Sequence, residues 1–292
     1  MNSKAIILTC NSTFGLVNFR LPLMKRLQRE GYRVVAIAPR DEYAEELESA
    51  GIELHHWDLS ARSTNPYSEI LAVWQLIKLY RAVQPVICFH YTIKAVLYGA
   101  ISAHVNSIRF VSIITGLGYV FLNDGVVPRV SRWLYRLLLR RSFRVWFLNR
   151  EDREEFLQLG LVRPAAAEVL PGEGVDTNHF RMSSETEGGE ISKFIKFLVI
   201  SRLLGDKGIY ELVAAIDLFR ARGFCAKFSV LGARGSKNPT AIPDSVVDRW
   251  VNEGKFEYLG TALDVRPYIQ AADCVVLPSY REGLPRARLS SP

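Results

Sequence analysis

Ala5-Ile6-Ile7-Leu8-Thr9-Cys10-Asn11-Ser12-Thr13-Phe14-Gly15 is the stretch on which the reading of the fold turns. An unbroken apolar run, rather than an alternation, describes a strand buried on both faces. The polar residues 11–13 and Gly15 end it in a turn, and the spacing of Leu23, Met24 and Leu27 then predicts a helix over 19–30. The same unit recurs along the chain. Strands are expected at 34–38, 52–56, 86–89, 110–114, 145–148 and 168–170. Helices are expected between them at 41–50, 67–83, 92–104, 128–141 and 151–159. Such an alternation folds as a parallel sheet covered by helices on both faces.

Residues 181–192 interrupt the pattern with a polar, Gly/Ser-rich segment that reads as a linker. The alternation then resumes, with strands at 194–201, 226–231, 256–259 and 274–277 and helices at 210–221, 245–253 and 265–271. The expectation is an α/β chain of two Rossmann-like domains, 1–180 and 193–292, joined by the linker 181–192. A length of 292 residues suits two cores better than one. Ligands of such an arrangement are expected between the two domains.

Composition narrows the class. Apolar residues are 49% and charged residues 23%, as in an ordinary folded protein. A net charge of +7 favours a polyanionic neighbour: anionic lipid, nucleic acid or a phosphorylated substrate. Nucleic acid is the weakest of these, because the basic residues interleave with leucines and not with exposed aromatics on a strand platform. Cys10, Cys88, Cys225 and Cys274 lie far apart without metal spacing and are expected to be buried free thiols in a reducing cytoplasm. The N-terminus has the wrong flanks for a signal peptide, and no apolar run reaches the roughly 18 residues of a membrane span.

Four short motifs carry the chemistry. The first is the turn Asn11 to Gly15, where free backbone N–H groups and a helix dipole favour an anion, or where a plain βα turn suffices. Gly172-Glu173-Gly174-Val175-Asp176, with Phe180 after it, allows close backbone approach to a ligand, or is an interdomain turn. Ser201-Arg202-Leu203-Leu204-Gly205-Asp206-Lys207-Gly208 places two cations between a strand end and a helix start, where a diphosphate is accommodated. Pro278-Ser279-Tyr280-Arg281-Glu282-Gly283-Leu284-Pro285 follows the last strand with a carboxylate and a glycine turn suited to sugar hydroxyls. His90, beside Cys88 and Phe89, is either a polar group facing the cleft or a satisfied core histidine.

In this order the four motifs resemble those of the family 4 retaining glycosyltransferases, which have the GT-B fold, and the resemblance covers the whole chain. Three further stretches are similar to the bacterial subgroup that elongates polyprenyl-diphosphate-linked glycans in N-glycan, O-antigen and capsule assembly. These are 60–66, Tyr91-Thr92-Ile93-Lys94 with Tyr98-Gly99, and Thr115-Gly116-Leu117-Gly118-Tyr119. The resemblance implies a UDP-sugar donor, often an N-acetylhexosamine, a polyprenyl-diphosphate-linked glycan acceptor, and no metal. It implies that Arg202 and Lys207 hold the donor diphosphate. Glu282 then meets the donor sugar with backbone help from Gly283 and Leu284, and Gly15 approaches the phosphate from the other domain. A UDP-sugar 2-epimerase of the same architecture and a non-catalytic membrane-peripheral remnant stand as alternatives.

Helix 128–141 carries an apolar stripe, Val130, Trp133, Leu134, Leu137 and Leu138, beside a cationic one, Arg129, Arg132, Arg136 and Arg140. It reads either as a helix packed on its own sheet or as one resting on an anionic membrane surface. That places the protein in the cytoplasm, peripheral on the inner face of the plasma membrane. The resemblance also implies a second glutamate eight positions after Glu282, where Ser290 stands, and elements beyond Pro292. A second domain lacking them is expected to be incomplete, and the chain to bind donor poorly.

Overall fold

Strand β1 (Ala5–Thr9) is buried along its whole length, as its unbroken apolar run requires. It lies in the middle of a seven-stranded parallel sheet and pairs on one side with β2 (Arg33–Ala38) and on the other with β4 (Ile87–Tyr91). The order across the sheet is β3-β2-β1-β4-β5-β6-β7, with β3 Glu53–His56, β5 Phe110–Ile114, β6 Arg144–Phe147 and β7 Ala167–Val169. Helices α1 (Thr13–Arg29) and α2 (Ala44–Ser49) cover one face through Leu16, Met24 and Leu47. Helices α3 (Pro66–Val83), α4 (Ile93–Val105), α5 (Val126–Leu139) and α6 (Arg150–Gln158) cover the other, through Leu76, Leu97, Tyr135 and Phe156. The order in which strands are added therefore reverses between the parallel neighbours β1 and β4, and the helices following them leave toward opposite faces. A crevice opens at such a switch point.

This computed structural model describes residues 4–59, 65–117, 121, 125–172, 174, 180, 194–235, 238–262 and 264–282. The chain divides into two units, Met1–Glu173 and Gly174–Pro292. The linker 181–192 and the end of the chain, with Ser290, lie outside the described residues. The second unit has a four-stranded parallel sheet of order β10-β9-β8-β11: β8 Ile195–Ile200, β9 Ala226–Leu231, β10 Glu257–Tyr258 and β11 Cys274–Val275. Helices α7 (Ile209–Ala221), α8 (Asp244–Asn252) and α9 (Arg266–Gln270) connect its strands. Both units are Rossmann-like, which is the α/β architecture expected from the strand–helix alternation.

Three local expectations change. Helix α1 begins at Thr13, six residues before the expected start, because Ser12 caps it by accepting from the Gly15 N–H at 3.1 Å. Pro22 sits inside this helix. Cys225 and Cys274 are exposed while Cys10 and Cys88 are buried. Cys225 precedes β9 in a turn, and Cys274 lies on a strand at the edge of its sheet. Helix α5 is the third case. Its Tyr135, Leu138 and Leu139 are buried, but Val130, Trp133 and Leu137, assigned to the same apolar stripe, face solvent with Val126. The stripe is split between two sides of the helix.

No helix among the described residues is long and apolar enough to cross a membrane.

Candidate functional site

In the first unit, the N-terminus of α1 is capped by the protein's own side chains. Asp41, just past β2, accepts from the Thr13 hydroxyl through Oδ1 and from the Phe14 N–H through Oδ2 at 3.1 Å. Ser12 takes the Gly15 N–H. Asp41 thus supplies a carboxylate to this helix N-terminus. Gly15 has a packing reason as well: a Cβ there would lie 3.0 Å from Cys10 Sγ.

The neighbouring turn, β4 to α4, is built in the opposite way. Thr92 precedes α4 without a side-chain capping bond, at φ 74° and ψ 156°. A β-branched residue in this left-handed region costs on the order of 1–3 kcal/mol. Its buried Oγ1 has no hydrogen-bond partner among the described residues. In front of it opens a pocket of about 260 Å³ at the carboxyl ends of β1, β4 and β5, lined by Asn11, Thr92, Lys94, Thr115, Gly116 and Tyr135. Lys94 Nζ donates to Glu69 Oε1 of α3 at 2.7 Å, and the Tyr98 hydroxyl donates to the other oxygen of the same carboxylate. Burial, then the hydrogen bond to Glu69, pushes the Tyr98 phenol up, so it stays a donor. Glu69 thereby sets the position of Lys94 at the pocket wall.

His90 is one residue inside this strand end and is fully buried. Its Nε2 lies 3.0 Å from the Tyr80 hydroxyl, which is 2.7 Å from Thr9 Oγ1. The imidazole stacks between Tyr80 and Phe110, and Gly99 lies so close that a Cβ would be 2.6 Å from the ring. Burial pulls its pKa down to about 3. His90 therefore lies in the core, with Nε2 paired and the buried Nδ1 without a hydrogen-bond partner among the described residues.

In the second unit the two motif loops are stitched together. Lys207 follows β8 in a turn of 3-10 helix, Gly205–Lys207, and Gly208 at φ 69° leads into α7. A Cβ on Gly208 would lie 2.1 Å from the Pro278 carbonyl oxygen, so only glycine lets the loop after β11 approach the α7 N-terminus. The Tyr280 N–H donates to the Asp206 carbonyl at 3.2 Å. Lys207 Nζ donates to Glu282 Oε1 at 2.7 Å, both groups being partly exposed. Arg202 stands exposed at the end of β8. The structure thus brings Lys207 and Glu282 into contact from positions 75 residues apart. Gly283 and Leu284 lie outside the described residues.

The Glycosyl transferase 4-like domain family matches residues 14–173, more than half the chain, and the Glycosyl transferases group 1 family matches residues 195–291. The chain belongs to the glycosyltransferase 4-like family. This glycosyltransferase is 26% identical over 284 residues to a Campylobacter jejuni enzyme, N,N'-diacetylbacillosaminyl-diphospho-undecaprenol alpha-1,3-N-acetylgalactosaminyltransferase; the match covers 93% of this chain and 73% of that one. Among solved structures it resembles a glycosyltransferase from Rickettsia africae, with TM-score 0.74, 15% identity, and coverage of 99% of this chain and 77% of that one. It also resembles Anabaena HepE in complex with UDP-glucose, with TM-score 0.72, 15% identity, and coverage of 98% and 77%. These similarities establish the GT-B fold.

Tyr135, Glu69 and Asp41 carry no motif in the sequence of this glycosyltransferase, and Asn11 stands there only as the first residue of the turn after β1. Asn11 and Tyr135 reach the pocket from elements far apart in sequence, which no local pattern reports. Glu69 had a partial signal, as the acidic residue in the first turn of its helix.

Proposed function

We propose that this glycosyltransferase moves a hexose or N-acetylhexosamine from a UDP-sugar to a polyprenyl-diphosphate-linked glycan in bacterial glycan assembly, with retention at the anomeric carbon. The observation that carries the proposal is the Lys207–Glu282 pair at the strand ends of the second unit, with Lys207 on the loop that also bears Arg202. In this reading Arg202 and Lys207 hold the donor diphosphate and offset the charge that develops on it as the anomeric C–O bond breaks. Glu282 accepts from donor-sugar hydroxyls, with the backbone of Gly283 and Leu284. The acceptor hydroxyl oxygen bonds to the anomeric carbon, and its proton passes to the departing phosphate oxygen. The cations carry the electrostatic load, so no metal is required. The first-unit pocket beside Thr92 and Lys94 takes the acceptor.

The name of the Campylobacter relative, with its diphospho-undecaprenol substrate, supports the acceptor class, and the UDP-glucose complex of the Anabaena protein supports the donor class. Glycosyltransferase families match both units, which favours transfer over 2-epimerisation. The Arg-bearing helix α5 supports a peripheral seat on the inner face of the plasma membrane. The experiment is transfer from radiolabelled UDP-sugars to a detergent-solubilised polyprenyl-diphosphate-linked glycan, with and without EDTA. Labelled lipid in both arms, with the anomeric configuration preserved by NMR, is expected. Absence of labelled lipid with every donor, or conversion of UDP-N-acetylglucosamine without acceptor, would overturn the proposal.

A further inference from the structure

Helix α3 repeats the surface of α5. Tyr67, Ile70, Leu71 and Trp74 recur at helical spacing and all face solvent, Trp74 at 55% exposure, while Ala72, Leu76 and Tyr80 on the opposite side are buried. On α5, Val126, Val130, Trp133 and Leu137 recur at intervals of four, three and four residues; each is half exposed or more, Trp133 at 62%. Each helix has already satisfied its core with its other side. The outward apolar stripes are therefore surplus to the packing of this unit, and contiguous surface apolar groups of this kind mark an interaction face.

The two stripes belong to one layer. Both helices pack on α4 and contribute to the same core cluster on the same face of the sheet. Each connects parallel strands, so each begins at the carboxyl end of the sheet and runs down it. The exposed residues of α3 occupy its first half, and those of α5 start at its first residue. The α3 stripe thus lies toward the edge of the layer where the Thr92–Lys94 pocket opens, and the α5 stripe runs from that edge down its helix.

The chemistry around the stripes selects the occupant. Arg129, Arg136 and Arg140 are exposed beside the α5 stripe. On α3, Lys78 Nζ lies 3.2 Å from the centre of the Trp74 ring, an apolar body with a cationic tip. Apolar and aromatic side chains flanked by cations suit the boundary between acyl chains and anionic headgroups. A second copy of this chain would bring the arginine row against an identical one, and interface cores are depleted of charge.

We propose that α3 and α5 together form a bilayer-seating face, in which Trp74 and Trp133 are the two anchors and the arginines meet anionic headgroups. The face sets the pocket mouth at headgroup level, so that an acceptor diphosphate reaches it while the prenyl chain stays in lipid. This rests on the acceptor class of the preceding section.

The test uses vesicles of phosphatidylcholine with and without phosphatidylglycerol, with neither donor nor acceptor present. Binding to the anionic vesicles is expected, with quenching of tryptophan fluorescence by lipid brominated in the upper acyl chain. W74F and W133F each remove part of that quenching. W74E and W133E each weaken partition on the order of tenfold, and R129Q or R140Q about fivefold at low salt. These positions are exposed, so unchanged circular dichroism shows the fold intact. Two results would overturn the proposal: no quenching, or glutamate variants that alter oligomeric state by light scattering while leaving partition unchanged, which would assign the face to a second copy. Sugar transfer in detergent reads the function separately. Transfer without vesicle binding removes the seat and leaves the function; vesicle binding without transfer does the reverse.

Discussion

The buried imidazole of His90 makes the stability of the first unit depend on pH in a direction that can be worked out. Its pKa falls from the ordinary 6.5 to about 3 because burial penalises the charged form, with His104 adding a smaller like-charge effect. The unfolded chain therefore binds a proton near pH 6.5 that the folded chain refuses until about pH 3. The associated stability is present above pH 6.5 and is lost as the pH falls through the window between these two values. Each pH unit in that window is worth about 1.4 kcal/mol, so moving from pH 7 to pH 5 removes about 2 kcal/mol. The perturbation is His90→Gln, which keeps a polar group near the Tyr80 hydroxyl but cannot titrate. The assay is urea unfolding at pH 7 and pH 5, followed by the fluorescence of the fully buried Trp57. The variant is less stable at pH 7, from imperfect packing, but its loss between the two pH values should be smaller than the wild type's by about 2 kcal/mol. Equal losses in the two proteins would show that His90 titrates normally and would refute the core assignment.

Gly99→Ala drives a methyl group to 2.6 Å from the His90 ring, which is held between Tyr80 and Phe110; a destabilisation of about 1–3 kcal/mol is expected in the same unfolding assay. Asp41→Ala removes the carboxylate from the α1 N-terminus and should cost about 1–2 kcal/mol without changing the affinity for UDP, measured by calorimetry. Gly208→Ala meets both a left-handed φ of 69° and the Pro278 carbonyl, so the loop bearing Glu282 must move, and UDP-sugar affinity should fall by about tenfold. Glu282→Gln should lower the rate of sugar transfer on the order of a hundredfold while UDP alone binds nearly as before, since its contact is assigned to the sugar. Unchanged turnover would remove Glu282 from the site.

Much of the fold was legible because its signals are local. The uninterrupted apolar run of β1 reports burial on both faces, and the turn after it reports a strand-to-helix transition within a few residues. The turn carrying Lys207 likewise reports the passage from β8 to α7. Misreadings arose where one residue type serves two ends. The apolar spacing of Leu23, Met24 and Leu27 reports only the later part of α1, since its start is set by Ser12 and by Asp41, which lies far along the chain. In α5, apolar side chains at helical spacing look like one stripe in the sequence, yet only one side of the helix has a sheet beneath it.

The sequence by itself determined the repeated strand-turn-helix unit and the positions of the cations and carboxylate in the second unit, because each is a pattern within a few residues. Only the tertiary structure decided which of these groups meet. It joined Lys207 to Glu282, closed the α1 N-terminus with Asp41, left that of α4 open at Thr92, and buried His90. Contact between strand ends depends on strand order, and strand order is a property of how the whole sheet minimises exposed apolar surface, which no single stretch of chain specifies.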